Sequence, residues 1–150
     1  MIERMNVHFI CRGNVLRSLI AETYLKSLKI DGINVISSGT NVNWDDPQER
    51  EYFDNTLEVL KRHEIDKYAK SKPNQLGQTR VDECSDVVVL MNERVVDEAN
   101  KLVKLPVEVH NWMIVDIGEG DRVNEAEREQ YEEAIYQEIT QKVNELFPAR

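Results

Sequence analysis

Short apolar runs alternate along this chain with amphipathic helical patterns, and that alternation restricts its fold more than any other feature. Met5–Ile10, Ile33–Ile36, Asp86–Met91 and Pro106–His110 read as strands. Arg17–Leu28, Glu93–Val103 and Glu125–Phe147 carry the apolar spacing of helices, and Gly32 stops the first of them. Another helix opens at Asp46-Pro47-Gln48-Glu49, with a capping aspartate, a proline at the first position and a glutamate in the first turn. Phe53, Thr56, Leu57 and Leu60 then share one face. The last helix is expected to bury a stripe of Tyr131, Ala134, Ile135, Ile139, Val143 and Leu146. Residues 64–80 are polar and punctuated by Pro73 and Gly77, with room for a short helix near Gln75–Arg80, and Asn111–Arg122 reads as a loop. Strands alternating with helices imply an α/β fold, a three-layer sandwich of a four-stranded parallel sheet with helices on both faces. The 150 residues show no repeat and no linker, so one domain over 1–150 is expected.

In such sheets ligands bind beyond the carboxyl ends of the strands. Cys11 follows the first strand, Ser38 the second, and Asp116 lies beyond the fourth, so all three fall on one edge. The run Val7-His8-Phe9-Ile10 ends in Cys11-Arg12-Gly13-Asn14-Val15-Leu16-Arg17-Ser18, where the first helix begins. A tight strand–loop–helix passage leaves unpaired N–H groups at the helix start, and with the helix dipole they form a cradle for an anion. Gly13 and Asn14 are the residue types that most readily adopt the positive φ such a loop requires. A cysteine at the lip of that cradle has its nucleophilic thiolate stabilised, and Arg17 offers a planar fork to two oxygens of a phosphate-like group. A strand-end cysteine also serves elsewhere as a small buried hydrophobe. Here the glycine–asparagine pair, Ser18 and the helix opening favour a phosphate held over a reactive sulfur.

Composition narrows the partners. The net charge is −9 and no Lys/Arg cluster occurs, which argues against nucleic acid, whose phosphate backbone demands a basic stripe. That acidity does not forbid an anionic substrate, because distant charges are screened over about 8–10 Å. No apolar run approaches the roughly 20 residues that span a bilayer, and the N-terminus has no signal-like apolar core, so no membrane partner is expected. Two cysteines do not make a disulfide framework and suit a reducing, cytoplasmic setting. His8, His63 and His110 have no ligand spacing, so neither metal nor other cofactor is expected; His8 reads as a satisfied strand residue and the other two as surface groups. A monomer or weak dimer is expected.

The Cys11–Ser18 segment resembles the signature loop of the low-molecular-weight protein tyrosine phosphatase family, at the place in the chain where that family carries it. Ser37-Ser38-Gly39-Thr40 with Trp44, the strand Val87–Met91, and Val115-Asp116 are similar to the later segments of that family, in the same order. The resemblance implies a phosphatase I-like fold and hydrolysis of phosphotyrosine, an aryl phosphate monoester, through a phosphocysteine. It makes Cys11 the nucleophile, Arg17 and the loop amides of Arg12, Gly13, Asn14, Val15 and Leu16 the phosphate binders, Ser18 a hydrogen-bond donor to the sulfur, and Asp116 the general acid. Asn14 and Ser38 fall where the family ties its loop into shape, and Trp44 where it has a substrate rim. The implied partner is a phosphotyrosine protein or a small aryl phosphate.

The departures are specific. The family's Asp-Pro is Asp116-Ile117, and the aromatic pair that follows it is missing, so Asp121 is a second candidate acid. Arg12 stands where a small or apolar residue is expected; it reads first as a solvated side chain, and otherwise as a group suited to acidic sequence around a phosphotyrosine. Leu16 stands where many relatives have a second cysteine, and Cys84 is the only other thiol, so an oxidised Cys11 would recover slowly. Two other readings stay open. One is an arsenate reductase-like enzyme, which calls for further cysteines; the other is a non-catalytic phosphotyrosine or oxyanion binding module.

Overall fold

The computed structural model of the chain describes residues 4–106, 108–114 and 125–148. The elements run β1 (Met5–Cys11), α1 (Arg17–Ser27), β2 (Ile33–Gly39), α2 (Pro47–Arg62), a single 3-10 turn at Asp66–Tyr68, α3 (Gln78–Cys84), β3 (Val87–Leu90), α4 (Glu93–Leu102), β4 (Glu108–Asn111) and α5 (Glu125–Leu146). Asp116, Asp121 and most of the expected Asn111–Arg122 loop lie outside the described residues.

All four strands are parallel, in the order β2-β1-β3-β4. Side chains alternate across a strand, so each strand feeds two cores. Val7, Phe9 and Cys11 join Val35 and Val89 on one face, covered by Ile20 and Leu25 of α1, Val59 and Leu60 of α2, and Ile135, Ile139 and Val143 of α5. Ile10, Val88 and Leu90 face the other way, against Val81 of α3 and Val95 and Ala99 of α4. Full burial of Val7, Phe9 and Ile10 contributes about 1.5–3 kcal/mol for each side chain. The chain steps from β1 outward to β2 and from β3 outward to β4 in opposite directions. Right-handed crossovers therefore put α1 and α4 on opposite faces. The carboxyl end of β1 lies at the point where the two halves diverge, which is where doubly wound sheets bind ligands.

Several elements differ from expectation for local reasons. β2 does not stop at Ile36 but runs through Ser37, Ser38 and Gly39, which pair with Phe9, Ile10 and Cys11. The short helix starts after Gly77 rather than at Gln75, because Gln75 is bridged to Gly39 and its side chain binds the backbone of Thr40 and Val42. β4 begins beyond Pro106, which has no N–H for a ladder. On α5 Tyr131 and Ala134 are exposed. The buried stripe is instead Glu132, Ile135, Tyr136, Ile139, Thr140, Val143 and Phe147, with the Glu132 carboxylate 3.8 Å from the guanidinium of Arg128. His63 and His110 are half-buried rather than free at the surface: His63 stacks on Tyr136 at 3.8 Å and bonds Glu133, and His110 bonds Glu108.

Candidate active site

The turn from β1 into α1 is built to leave its donors available. α2 and α4 are capped by side chains, Asp46 accepting from the N–H of Gln48 at 2.9 Å and Asn92 from that of Val95 at 3.0 Å. α1 has no side-chain cap and no acid in its first turn. The N–H groups of Gly13, Val15 and Leu16 donate to no acceptor among the described residues. An uncapped helix start with several available amides carries a partial positive charge suited to an anion. Arg17 stands at that start and is 4% exposed.

Two side chains fix the shape of the loop. Asn14 occupies the left-handed region at φ 57°, whereas Gly13 does not, so of the expected pair only the asparagine supplies the bend. The Asn14 side chain is saturated. Its NH2 group donates to Ser18 Oγ at 2.6 Å and Ser37 Oγ at 2.9 Å, and its Oδ1 accepts from the N–H of Asn74 at 2.9 Å and from Lys70 Nζ. Reversing the amide would set NH2 against two donors, so its orientation is determined. Thr56 on α2 donates from Oγ1 to the carbonyl of Val15 at 2.6 Å, pinning the far side of the loop.

This bonding orients protons at the sulfur. Ser18 Oγ already accepts from Asn14, so its O–H is free to point at Cys11 Sγ, 2.9 Å away. The N–H of Asn14 reaches the same sulfur at 3.2 Å. The sulfur thus has two hydrogen-bond donors within reach, at a helix start that carries a partial positive charge. Cys11 is a free thiol, and Cys84, half-buried at the end of α3, is also free.

Beneath the loop lies a buried polar layer that the sequence did not announce. Arg80 donates from Nε to Ser38 Oγ at 2.7 Å and from Nη2 to the carbonyl of Ser37 at 3.0 Å, while Lys70 reaches that same carbonyl at 2.9 Å. With Ser38 Oγ accepting from Arg80, its O–H is directed to His8 Nε2 at 2.7 Å; His8 Nδ1 then donates to Ser85 Oγ at 2.8 Å. His8 is thus neutral with its proton on Nδ1. Burial, reinforced by Arg80 and Lys70, pushes its pKa down to about 3. Burial likewise pushes Lys70 down to about 8, with Glu22 acting upward and Arg80 downward.

The structure brings Cys11, Arg12, Gly13, Asn14, Val15, Leu16, Arg17, Ser18 and Ser38 together at one end of the sheet. Trp44 packs edge-on against Phe53 at 5.2 Å, in one cluster with Val15 and Leu19, and so forms a wall beside the loop. Arg12 points to α4, its Nε 3.5 Å from Glu98, which also accepts from Thr40. Asp116 is outside the described residues. Sequence reasoning missed Lys70, Arg80, Asn74 and Ser37. All but Ser37 lie in the polar stretch 64–80 without periodicity, where four cations, Lys67, Lys70, Lys72 and Arg80, are the available signal. Among the described residues no His, Cys, Asp and Glu side chains gather as a metal site would need, and no helix is long and apolar enough to cross a membrane.

Comparison with known proteins agrees with this geometry. In fold the chain is similar to Wzb of Vibrio vulnificus, solved with benzylphosphonate, at 15% identity, a TM-score of 0.72 and coverage of 97% of each chain. It is also similar to the low molecular weight protein tyrosine phosphatase of T. tengcongensis, at 18% identity, a TM-score of 0.71 and coverage of 95% of this chain and 97% of that one. A thioredoxin-dependent arsenate reductase of Corynebacterium glutamicum shares 22% identity at a TM-score of 0.65, with 97% of this chain covering 61% of that one. No curated protein sequence matches the chain. The family model for low molecular weight phosphotyrosine protein phosphatase matches residues 6–149. The chain belongs to that family, the cysteine-dependent low molecular weight protein tyrosine phosphatases.

Proposed function

We propose that this phosphatase hydrolyses phosphotyrosine and related aryl phosphate monoesters through a phosphocysteine formed on Cys11. The observation that carries the reading is the doubly hydrogen-bonded sulfur, with Ser18 at 2.9 Å and the amide of Asn14 at 3.2 Å, at the uncapped start of α1. In the first step the thiolate attacks phosphorus and the P–O ester bond breaks, its electron pair leaving on the phenolic oxygen. Arg17 and the loop amides bind the equatorial oxygens, where losing one preorganised donor costs about 10²–10³ in rate. A phenol with a pKa near 10 leaves poorly as its anion. Asp116 donates a proton to it, a contribution of about 10²–10⁴-fold. In the second step Asp116, now a carboxylate, takes a proton from water as that water attacks phosphorus. The S–P bond breaks, phosphate departs, and the hydrogen bond from Ser18 receives the returning thiolate. Trp44 lines the approach to the loop, and a reducing compartment such as the cytoplasm keeps Cys11 competent.

Arsenate reduction, the activity named for the Corynebacterium glutamicum neighbour, calls for further thiols to release the adduct, and this chain has only Cys84 besides Cys11. The reading is tested with p-nitrophenyl phosphate in the absence of metal. Turnover by the wild type and its loss in Cys11→Ser is the expected result. A wild type that binds phosphate without turnover would make the chain a binding module.

A further inference from the structure

We propose that Lys70 is a positioning residue of this site, its ammonium clamping the Asn14 side-chain amide so that Ser18 is held as a donor to the Cys11 sulfur. The inference rests on the reading of Cys11 as nucleophile and adds the group that orients it. Lys70 leaves a segment with no regular structure and buries its side chain, 14% exposed, beneath the loop. All its bonds are to groups that shape the loop: Asn14 Oδ1, the Ser37 carbonyl at 2.9 Å, and Asn74 Oδ1 at 2.9 Å. Asn74 also gives its backbone N–H to Asn14 Oδ1, so lysine and asparagine grip one oxygen from two sides.

The chain of donors runs in one direction. The Lys70 ammonium donates to the Asn14 carbonyl oxygen, the Asn14 NH2 donates to Ser18, and the Ser18 hydroxyl donates to sulfur. A positive charge at the head of such a chain polarises every bond after it and favours negative charge at its tail. A neutral amine would keep the shape and lose the polarisation.

The charged groups acting on Lys70 come from three elements. Glu22 of α1, buried and 3.9 Å away, favours the ammonium, as does Cys11 of β1; Arg80 of α3 and Lys26 of α1 oppose it. His8, on the neighbouring part of β1, is neutral and adds no charge. The burial cost outweighs Glu22, so the ammonium loses its proton near pH 8 rather than near 10.5. The clamp is therefore engaged at neutral pH and released in mild alkali, within the range where a phosphatase can be assayed.

The test compares wild type with Lys70→Met, which keeps the stem and removes the charge, and with Lys70→Arg, which keeps a charge that alkali does not remove. Two quantities are followed against pH: alkylation of Cys11 by iodoacetate and kcat/KM on p-nitrophenyl phosphate. Lys70→Met is expected to move the midpoint of Cys11 alkylation upward by about one pH unit, a tenfold loss of thiolate below it. In wild type kcat/KM is expected to fall above about pH 8 with loss of one proton. That limb should vanish in Lys70→Met and shift upward in Lys70→Arg. A wild-type profile without the limb, or a limb unmoved in Lys70→Arg, overturns the proposal even where Lys70→Met does not fold. So does a Lys70→Met enzyme with wild-type alkylation. Turnover that survives Cys11→Ser would instead defeat the reading of the nucleophile beneath it.

Discussion

Replacing Gly39 by alanine isolates how closely the sheet supports the phosphate loop. Gly39 ends β2 opposite Cys11. A Cβ there would stand 2.6 Å from the carbonyl oxygen of Arg12, 2.9 Å from Val42 Cγ2 and 3.0 Å from the amide nitrogen of Asn14. Two of these neighbours are backbone atoms of the loop. The Arg12 carbonyl is held by the N–H of Asn41 at 2.9 Å, and the Asn14 N–H is a donor to the Cys11 sulfur. Gly39 cannot slide away either: its N–H donates to the Asn74 carbonyl and its carbonyl accepts from Leu76, both at 2.8 Å. An ordinary C···O contact is about 3.3 Å or more. The loop must therefore retreat by about 0.7 Å from that position, lengthening the Asn41 bond and turning the Asn14 amide from the sulfur. Overpacking of this kind costs about 1–3 kcal/mol of stability, and misplacement of reacting groups by about 1 Å costs about 10²-fold in rate. The assay pairs urea unfolding with kcat/KM on p-nitrophenyl phosphate. Gly77→Ala is the control: it also has an extended backbone but nothing within 4 Å of its Cβ, so its activity should be unchanged and its stability lowered by less than about 1 kcal/mol. A Gly39→Ala enzyme within twofold of wild type in kcat/KM would refute the claim that the loop leans on this residue.

The neutral, buried His8 predicts loss of stability in acid. Its folded-state pKa of about 3 lies below the ordinary 6.5, so the unfolded chain binds a proton first. Its stabilising share is complete above about pH 6.5 and is lost as pH falls toward 3, at up to about 1.4 kcal/mol per unit; His8→Gln should flatten that slope in urea unfolding. For the general acid, Asp116→Asn is expected to slow turnover about 10²-fold or more on aryl phosphates with poor leaving groups and far less on good ones. Asp121→Asn should stay near wild type on both. The reverse pattern would move the role to Asp121.

Short apolar runs and the strand–loop–helix passage are plain in the sequence because hydrophobic patterning is a local signal. The reading failed where polar side chains do the packing. Helical spacing places Tyr131 on the buried stripe of α5, yet Glu132 turns inward beside Arg128 and Tyr131 faces outward. Ser37 and Ser38 read as the end of a strand, but their polar partners, Lys70 and Arg80 beneath and the buried Asn14 above, keep them in the sheet. Lys70 and Arg80 meet Asn14 and Ser38 from some 40 to 60 positions away, and no local pattern encodes such a meeting. Cys11, Arg17 and Ser18 were readable since their meaning lies in a contiguous loop. Asn14 and Ser38 are legible beside them, whereas Lys70 and Arg80, which bond those two from beneath, are not.

The most direct test of the central claim is to quench the enzyme in acid during turnover of p-nitrophenyl phosphate and map covalent phosphate by peptide mass spectrometry. The account predicts one phosphoryl group, on the sulfur of Cys11, absent without substrate and absent in Cys11→Ser. Sustained turnover with no adduct on Cys11, or with phosphate on another residue, would contradict it.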